Sequence, residues 1–197
     1  MKISILLPYK ENFSPIYAGA VSLFVKDTTK ISKFKKYISI YGNTDLKRIY
    51  NLNYKNITLK KNIVQSGSKI YVNEFLKHEK LSPSDIIEIH NRPNYFHLIY
   101  KSIKKQKIIL YFHNDPLTMT GSRSVADRTK LLSNSAKIIF NSHWSRKRFL
   151  EDIPGLHINS EKMTVIYQST SQAKVNISIK KKWITFVGKL NRAKGYD

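Results

Sequence analysis

The sequence predicts an α/β fold, a doubly wound and mainly parallel sheet with helices on both faces. Short runs rich in Ile and Val recur along the chain, and each is followed by a stretch compatible with a helix. The composition of these runs suits strands that are buried on both faces. The chain has 197 residues, 41% of them hydrophobic, which is ample material for a core. We therefore expect a folded globular chain and not a disordered basic tail.

Seven strands and five helices are predicted. In the first helix, Tyr17, Val21, Phe24, Val25 and Ile31 recur at helical spacing, so we expect them to lie near one side. The predicted strands are 2–8, 37–42, 56–64, 85–90, 107–113, 136–142 and 163–168. The predicted helices are 17–33, 68–80, 94–104, 122–134 and 142–150.

The charge is strongly positive, with 35 Lys and Arg against 13 Asp and Glu, a formal net charge of +22. Such a chain attracts polyanions, whether nucleic acid, an anionic membrane surface or a phosphorylated substrate. The absence of cysteine from the sequence excludes disulfide scaffolds, cysteine-ligated metals and thiol nucleophiles. The apolar run in the first ten residues is too short for a signal peptide, and no segment is long enough to span a membrane. We therefore expect a cytoplasmic protein.

The composition changes after Gln168. Residues 169–182 are polar and lysine-rich without helical periodicity, which is typical of an interdomain linker. A new strand-like run, WITFVG, occupies 183–188 and leads into a basic loop. The sequence thus predicts a first domain over 1–168, a linker over 169–182, and the incomplete start of a second α/β domain over 183–197.

Ligands of parallel α/β sheets bind outside the carboxyl ends of the strands. Gly19 stands at a predicted helix start after the first strand, where free amides favour a phosphate, although a small residue there also serves packing. Strands four and five end in HNRP (90–93) and HNDP (113–116), and neighbouring strands would bring these motifs together. Each histidine could instead form a hydrogen bond with the backbone of its own loop. No spacing completes a metal-ligand set.

The segment SHWSRKRFL begins the last predicted helix, with Ser142 as its N-cap. Its basic residues could meet anions. The alternative, which we favour for the charges, is a solvated basic face with Trp144 packed inward.

The segment GKLNRAKG (188–195) resembles the G-[RK]-L-x-x-x-K-G motif of family 4 glycosyltransferases, which have the GT-B fold of two facing Rossmann-like domains. The glycine-containing loop after strand one, the histidine ending a middle strand, SHWSRKRFL and TVIYQS agree with that family. HNRP and HNDPLTMTGSRS are similar to a bacterial subset that includes spore-coat-protein-like transferases. The sequence departs from the pattern in two ways: Lys189 stands where arginine is common, and Gln168-Ser169 replaces the usual Asn-Gly.

The resemblance implies transfer of a sugar from a nucleotide diphosphate donor to an acceptor hydroxyl, with retention, without a metal or other cofactor, in the synthesis of a bacterial cell-envelope glycan. By the same resemblance, Lys189, Lys194 and Gly19 would bind the donor diphosphate, and His113 would lie under the donor sugar as the catalytic residue. The candidates for contacts to the acceptor or sugar are His90, Arg92, Asn114 and Ser142. The family's acidic E-x7-E motif would follow the last residue given, so we expect the chain alone to be incomplete and inactive.

Two other functions stay open. The charge could belong to a nucleic-acid or polyanion-binding α/β protein, although its basic residues are scattered and no RNA-binding aromatic motif is present. The chain could also be a non-catalytic scaffold that pairs with a transferase subunit. Within the glycosyltransferase interpretation, we expect peripheral docking on an anionic membrane through lysines of 26–36 or 101–107, unless these form ordinary solvated faces.

Overall fold

The structure, a computed structural model, describes residues 1–59, 66–103, 105–155 and 160–169. Seven strands form one parallel sheet, so the predicted α/β architecture is confirmed. In chain order they are β1 (Ile3–Leu6), β2 (Ile38–Gly42), β3 (Tyr54–Asn56), β4 (Ile86–His90), β5 (Lys107–Phe112), β6 (Lys137–Phe140) and β7 (Met163–Val165). Their order across the sheet is β3-β2-β1-β4-β5-β6-β7. The topology reverses between β1 and β4, which is where such sheets bind ligands.

Five helices connect the strands: α1 (Ala20–Ile31), α2 (Gly67–Leu81), α3 (Pro93–Ser102), α4 (Val125–Asn134) and α5 (His143–Leu150). Ser66, Ser124 and Ser142 each cap a helix, because their side chains accept a hydrogen bond from the backbone N–H three residues on. Proline at the first position of α3 is suited to a helix start, since its missing N–H would have no partner there.

The two faces of the sheet are covered unequally. On one face, α2, α3, α4 and α5 pack over the larger apolar core, which includes Leu110, Phe112 and Phe140. On the other face, Val21 and Val25 of α1 pack against Ile5 and Leu7 in a smaller core. Helices thus lie on both faces, as a doubly wound fold requires.

The third strand differs from its prediction over 56–64. β3 ends at Asn56, and the pairs Ile40↔Tyr54 and Gly42↔Asn56 set its register. The ring of Tyr54 stacks on Phe13 at 5.0 Å, a contact between distant residues that sequence periodicity does not reveal. Residues 60–64 lie outside the described part of the chain.

Two predictions about side-chain orientation are wrong. Tyr17 and Ile31 do not share the buried side of α1: both are 85% exposed, and Tyr17 precedes the helix with a φ of 54°. Trp144 does not pack inward either, since it is 57% exposed and lies beside the guanidinium of Arg148. The neighbouring Phe149 fills the core position of that helix instead.

The predicted linker and second domain concern residues 169–197, of which all but Ser169 lie outside the described residues. In the described ranges, no helix has the length and apolar character needed to cross a bilayer.

Candidate functional site

The two histidine motifs meet at the carboxyl edge of the sheet. β4 and β5 are paired so that His90 lies opposite Tyr111, and His113 follows two residues later on the same face. Nδ1 of His90 is 2.9 Å from Nε2 of His113. The expectation that neighbouring strands bring HNRP and HNDP together is confirmed.

A glutamate and a glutamine extend this pair into a chain of four side chains. Oε1 of Glu88 lies 2.6 Å from Nε2 of His90, on the side away from His113. Nε2 of Gln168 lies 2.6 Å from Nδ1 of His113. The chain of contacts therefore runs from a partly exposed carboxylate on the face of the sheet, through two imidazoles, to an exposed amide at the edge.

Aromatic rings enclose the two histidines. His90 is fully buried and stacks on Tyr111 with ring centroids 5.0 Å apart. Phe24 of α1 meets His113 edge-on at 5.1 Å. Burial, assisted by the neighbouring His90, lowers the pKa of His113 from 6.5 to about 3, so its ring is neutral near pH 7. Burial also raises the pKa of Tyr111, and the charge of Glu88 acts in the same direction.

The backbone of His113 is held by two asparagines. Oδ1 of Asn91 accepts a hydrogen bond from the His113 N–H at 3.3 Å, and Nδ2 of Asn141 donates to the His113 carbonyl at 2.8 Å. Asn91 itself has a φ of 55°, a left-handed conformation that asparagine tolerates better than most residues. These contacts fix the position of His113 from both neighbouring strands.

The other predicted sugar-binding residues are placed differently. Arg92 is half-buried and turns back to donate to the carbonyl of Asn91 at 2.7 Å. Asn114 is exposed beside His113. The Ser142 hydroxyl is engaged in capping α5, since it accepts a hydrogen bond from the N–H of Ser145 at 3.1 Å. Their contacts to a sugar or acceptor stay predictions.

Gly19 caps α1, and a carboxylate already occupies that helix start. Oε1 of Glu11 accepts from the N–H of Ser22 at 3.1 Å, and the same carboxylate fills the space where a Cβ on Gly19 would lie. An incoming diphosphate would therefore have to displace Glu11. The diphosphate role of Gly19 stays a prediction, and so do the roles of Lys189 and Lys194, which lie outside the described residues.

The basic residues of α5 are partly neutralised. Arg148 forms ion pairs with Asp115, at 3.3 Å, and with Glu151, while Lys147 is exposed. Asp115 also caps the short turn Pro116–Thr118 by accepting from the N–H of Leu117. In the ranges that the structure describes, no group of three or more His, Cys, Asp and Glu side chains could hold a metal ion.

The sequence analysis did not assign Glu88, Gln168, Asn141 or Glu11 to this edge, although it noted Gln168 as a departure from the family pattern. Glu88 also carries a sequence signal: it is a lone carboxylate in the apolar strand IIEIH, two residues before His90 and hence on the same face. The other three are ordinary polar residues of loops or strand ends, and folding alone reveals their partners.

No protein-family model and no curated protein matches the chain. Several solved structures do match it. HepE of Anabaena in complex with UDP and glucose is 14% identical with a TM-score of 0.59, covering 86% of this chain and 45% of HepE. The HepE complex with UDP-glucose gives 13% identity, a TM-score of 0.58 and coverage of 85% and 44%. Sucrose-phosphate synthase of Thermosynechococcus elongatus is 7% identical, with a TM-score of 0.53 and coverage of 86% and 90%. The chain thus spans less than half the length of HepE, and it shares the Rossmann-like fold of these proteins.

Proposed function

We propose that this chain is the acceptor-side domain of a retaining glycosyltransferase that moves a sugar from a nucleotide diphosphate donor to an acceptor hydroxyl. The proposal includes membership of family 4, a role in bacterial cell-envelope glycan synthesis and a cytoplasmic location. The donor C–O bond would break with its electron pair passing to the diphosphate. The acceptor oxygen would then bond to the anomeric carbon on the same face and lose its proton to the departing diphosphate.

The observation that carries the proposal is the placement of His113. Its ring is neutral and held from several sides, and it lies at the sheet edge where this fold binds ligands. A neutral imidazole can accept a hydrogen bond from a sugar hydroxyl and can face positive charge developing at the anomeric carbon without repelling it. The structural neighbour HepE, solved with UDP-glucose, supports a nucleotide sugar as the donor.

The departing diphosphate needs fixed positive charge, and the proposal assigns this to Lys189 and Lys194 on the basis of the GKLNRAKG motif. It also assumes transfer without a metal. Lys194→Ala should lower turnover by about two to three orders of magnitude, whereas Lys189→Arg should be tolerated because it keeps the charge. Turnover that survives Lys194→Ala or disappears on chelation with EDTA would contradict these assignments.

The main test uses the protein with any residues encoded beyond Asp197 and a panel of nucleotide sugars, followed by NMR of the product's anomeric configuration. His113→Ala should lower kcat about a hundredfold. His78→Ala, which alters an exposed histidine of α2, is the matched control and should leave kcat unchanged. Inverted products would contradict retention. Salt-dependent oligonucleotide binding without turnover would favour the polyanion-binding alternative, and turnover only with a partner chain would favour the scaffold.

The proposal also places the protein at an anionic membrane surface, and the structure supplies a cluster of lysines for it. Lys26, Lys30 and Lys35 line a cleft of about 440 Å³, and Lys33, Lys35 and Lys36 line a second cleft of about 460 Å³. Ile31 and Phe34 are exposed within the same segment. Each lysine near an anionic surface contributes about 1 kcal/mol, and exposed apolar side chains can enter the headgroup layer.

Sedimentation with phosphatidylserine-containing and neutral vesicles tests this docking. We expect binding to the anionic vesicles alone, lost in high salt. Changing Lys30, Lys33 and Lys36 to Glu should abolish it, while changing Lys101, Lys105 and Lys107 to Glu should weaken it only slightly. Equal binding to both vesicles, or equal effects of the two triple variants, would show that this cluster is not the docking surface.

A further inference from the structure

The side chains of Glu88, His90, His113 and Gln168 form an unbranched hydrogen-bonded chain that crosses the edge of the sheet. Its successive distances are 2.6, 2.9 and 2.6 Å. The two outer contacts use one ring nitrogen each, and the middle contact uses one from each histidine, so both nitrogens of both rings are engaged. The proton positions along the chain are therefore interdependent.

The carboxylate at the inner end sets the direction of these hydrogen bonds. An ionised Glu88 can only accept, so Nε2 of His90 must carry the proton that faces it. A neutral imidazole has a single N–H, which leaves Nδ1 of His90 as an acceptor. The amide nitrogen of Gln168, which is a donor at the outer end of the chain, requires the same proton order.

The same logic continues at His113. Because Nδ1 of His90 accepts, Nε2 of His113 must donate, and Nδ1 of His113 is left with a lone pair. The amide of Gln168 now donates to that lone pair. Gln168 is exposed, so another donor can displace its side chain.

We propose that Glu88 is a positioning residue that acts through His90 to fix His113 as the Nε2–H tautomer, so that Nδ1 is presented as an obligatory hydrogen-bond acceptor. The group it selects is a hydroxyl, which takes the place of the Gln168 amide. That this hydroxyl belongs to the donor sugar rests on the proposed function. The assignment of the tautomer does not.

The tautomer is measured on the 197-residue chain with ¹⁵N-labelled histidine, using long-range ¹H–¹⁵N correlation spectra at neutral pH. Wild type should show His113 with Nε2 protonated and Nδ1 unprotonated. In Glu88→Gln the amide can either donate or accept, so His113 should become a mixture of both tautomers. Glu74→Gln, a carboxylate of α2 that pairs with Lys77 at the surface, is the matched control and should leave the spectrum unchanged.

A His113 ring protonated at Nδ1 in wild type, or an unchanged spectrum in Glu88→Gln, would overturn the proposal. If Glu88→Gln does not fold, the wild-type spectrum still decides the tautomer. His90→Ala then serves as the second variant: it removes the nitrogen that accepts from Nε2 of His113, and His113 should again become a mixture of both tautomers. Turnover gives the second measurement. Glu88→Gln should lower kcat/KM for the donor sugar about tenfold, while leaving the affinity for the free nucleotide unchanged. Turnover is measured with any residues encoded beyond Asp197 included; its absence there would refute the proposed function, while the spectra would still test the role of Glu88.

Discussion

Glu79 and Glu88 are two carboxylates set against the sheet, one near its amino end and the other toward its carboxyl end, and they differ in what they contact. Glu79 is fully buried and accepts from the hydroxyls of Ser4 and Ser84, at 2.6 and 3.0 Å, and from the Ser84 backbone at 2.9 Å. The side chain of Glu88 keeps 22% of its exposure and contacts a histidine.

The difference separates a carboxylate with structural contacts from the one to which we assign a positioning role. The partners of Glu79 do not titrate near pH 7, and they join β1, α2 and the segment before β4, so the group stabilises one arrangement of the chain. Glu88 bonds to a group that can exchange protons, and the contact continues to a second histidine at the ligand edge. The type of partner, and not burial alone, decides which carboxylate can take part in chemistry.

Replacement of Glu79 should have the largest effect on stability. Glu79→Ala removes a buried acceptor and leaves the N–H of Ser84 without its partner, which should cost about 3 kcal/mol of the free energy of unfolding. Urea denaturation measures the loss. The control Glu74→Ala removes a surface pair on the same helix and should cost below about 0.5 kcal/mol. Equal losses in the two variants would remove the structural role given to Glu79.

The loop that follows β5, at the carboxyl edge of the sheet, should contain a rigid position at Gly121. Its φ is 94°, and a Cβ there would lie 2.6 Å from the backbone nitrogen of Asn94 at the start of α3. Gly121→Ala should therefore cost about 2 kcal/mol of unfolding free energy, measured by urea denaturation. Gly155→Ala is the control, since a Cβ at Gly155 meets nothing within 4 Å. If Gly121→Ala unfolds at the same urea concentration as Gly155→Ala, the loop adapts to the added Cβ and is less rigid than the Glu79 contacts at the amino edge of the sheet.

The pH dependence of stability should distinguish the carboxyl edge of the sheet, which contains His113, from the amino edge, which contains Glu79. The pKa of His113 is lowered to about 3 in the folded chain, so between pH 6.5 and 3 the unfolded state binds more protons than the native state. Stability therefore falls as the pH falls, by about 1.5 kcal/mol between pH 6.5 and 5.

This loss should be largely absent in His113→Asn and retained in His78→Asn, as measured by urea denaturation at each pH. If His113→Asn keeps the full slope, another group controls acid stability, and His113 is not the neutral histidine that the site requires.

Glu88→Gln should have the smallest effect on stability, below about 1 kcal/mol, because the amide can still bond to Nε2 of His90. Urea denaturation beside Glu79→Gln makes the comparison direct, and Glu79→Gln should be the less stable of the two because its carboxylate accepts from three donors. A larger loss of unfolding free energy in Glu88→Gln than in Glu79→Gln would show that Glu88 has a structural role comparable to that of Glu79.

Much of the fold could be predicted because its signals are local. The apolar runs that form β4, β5 and β6 are read within a few residues of their true ends, and Ser142 is recognised as a helix cap from its position alone. The position of β3 and the exposure of Trp144 were not predicted correctly. The position of β3 depends on contacts with residues distant in the sequence, such as the stacking of Tyr54 on Phe13. Trp144 is exposed because Phe149 takes the core position of α5.

The candidate site divides in the same way. His90 and His113 were found because parallel strands place their carboxyl ends at one edge, a rule that needs only the order of the elements. The sequence by itself determined the parallel α/β architecture, the positive charge and this pair of histidines. Tertiary structure decided that Glu88 and Gln168 stand at the two ends of the pair and that Glu11 occupies the start of α1. These contacts join residues up to 55 positions apart, and hydrogen bonds over such separations depend on side-chain geometry that only the folded chain fixes.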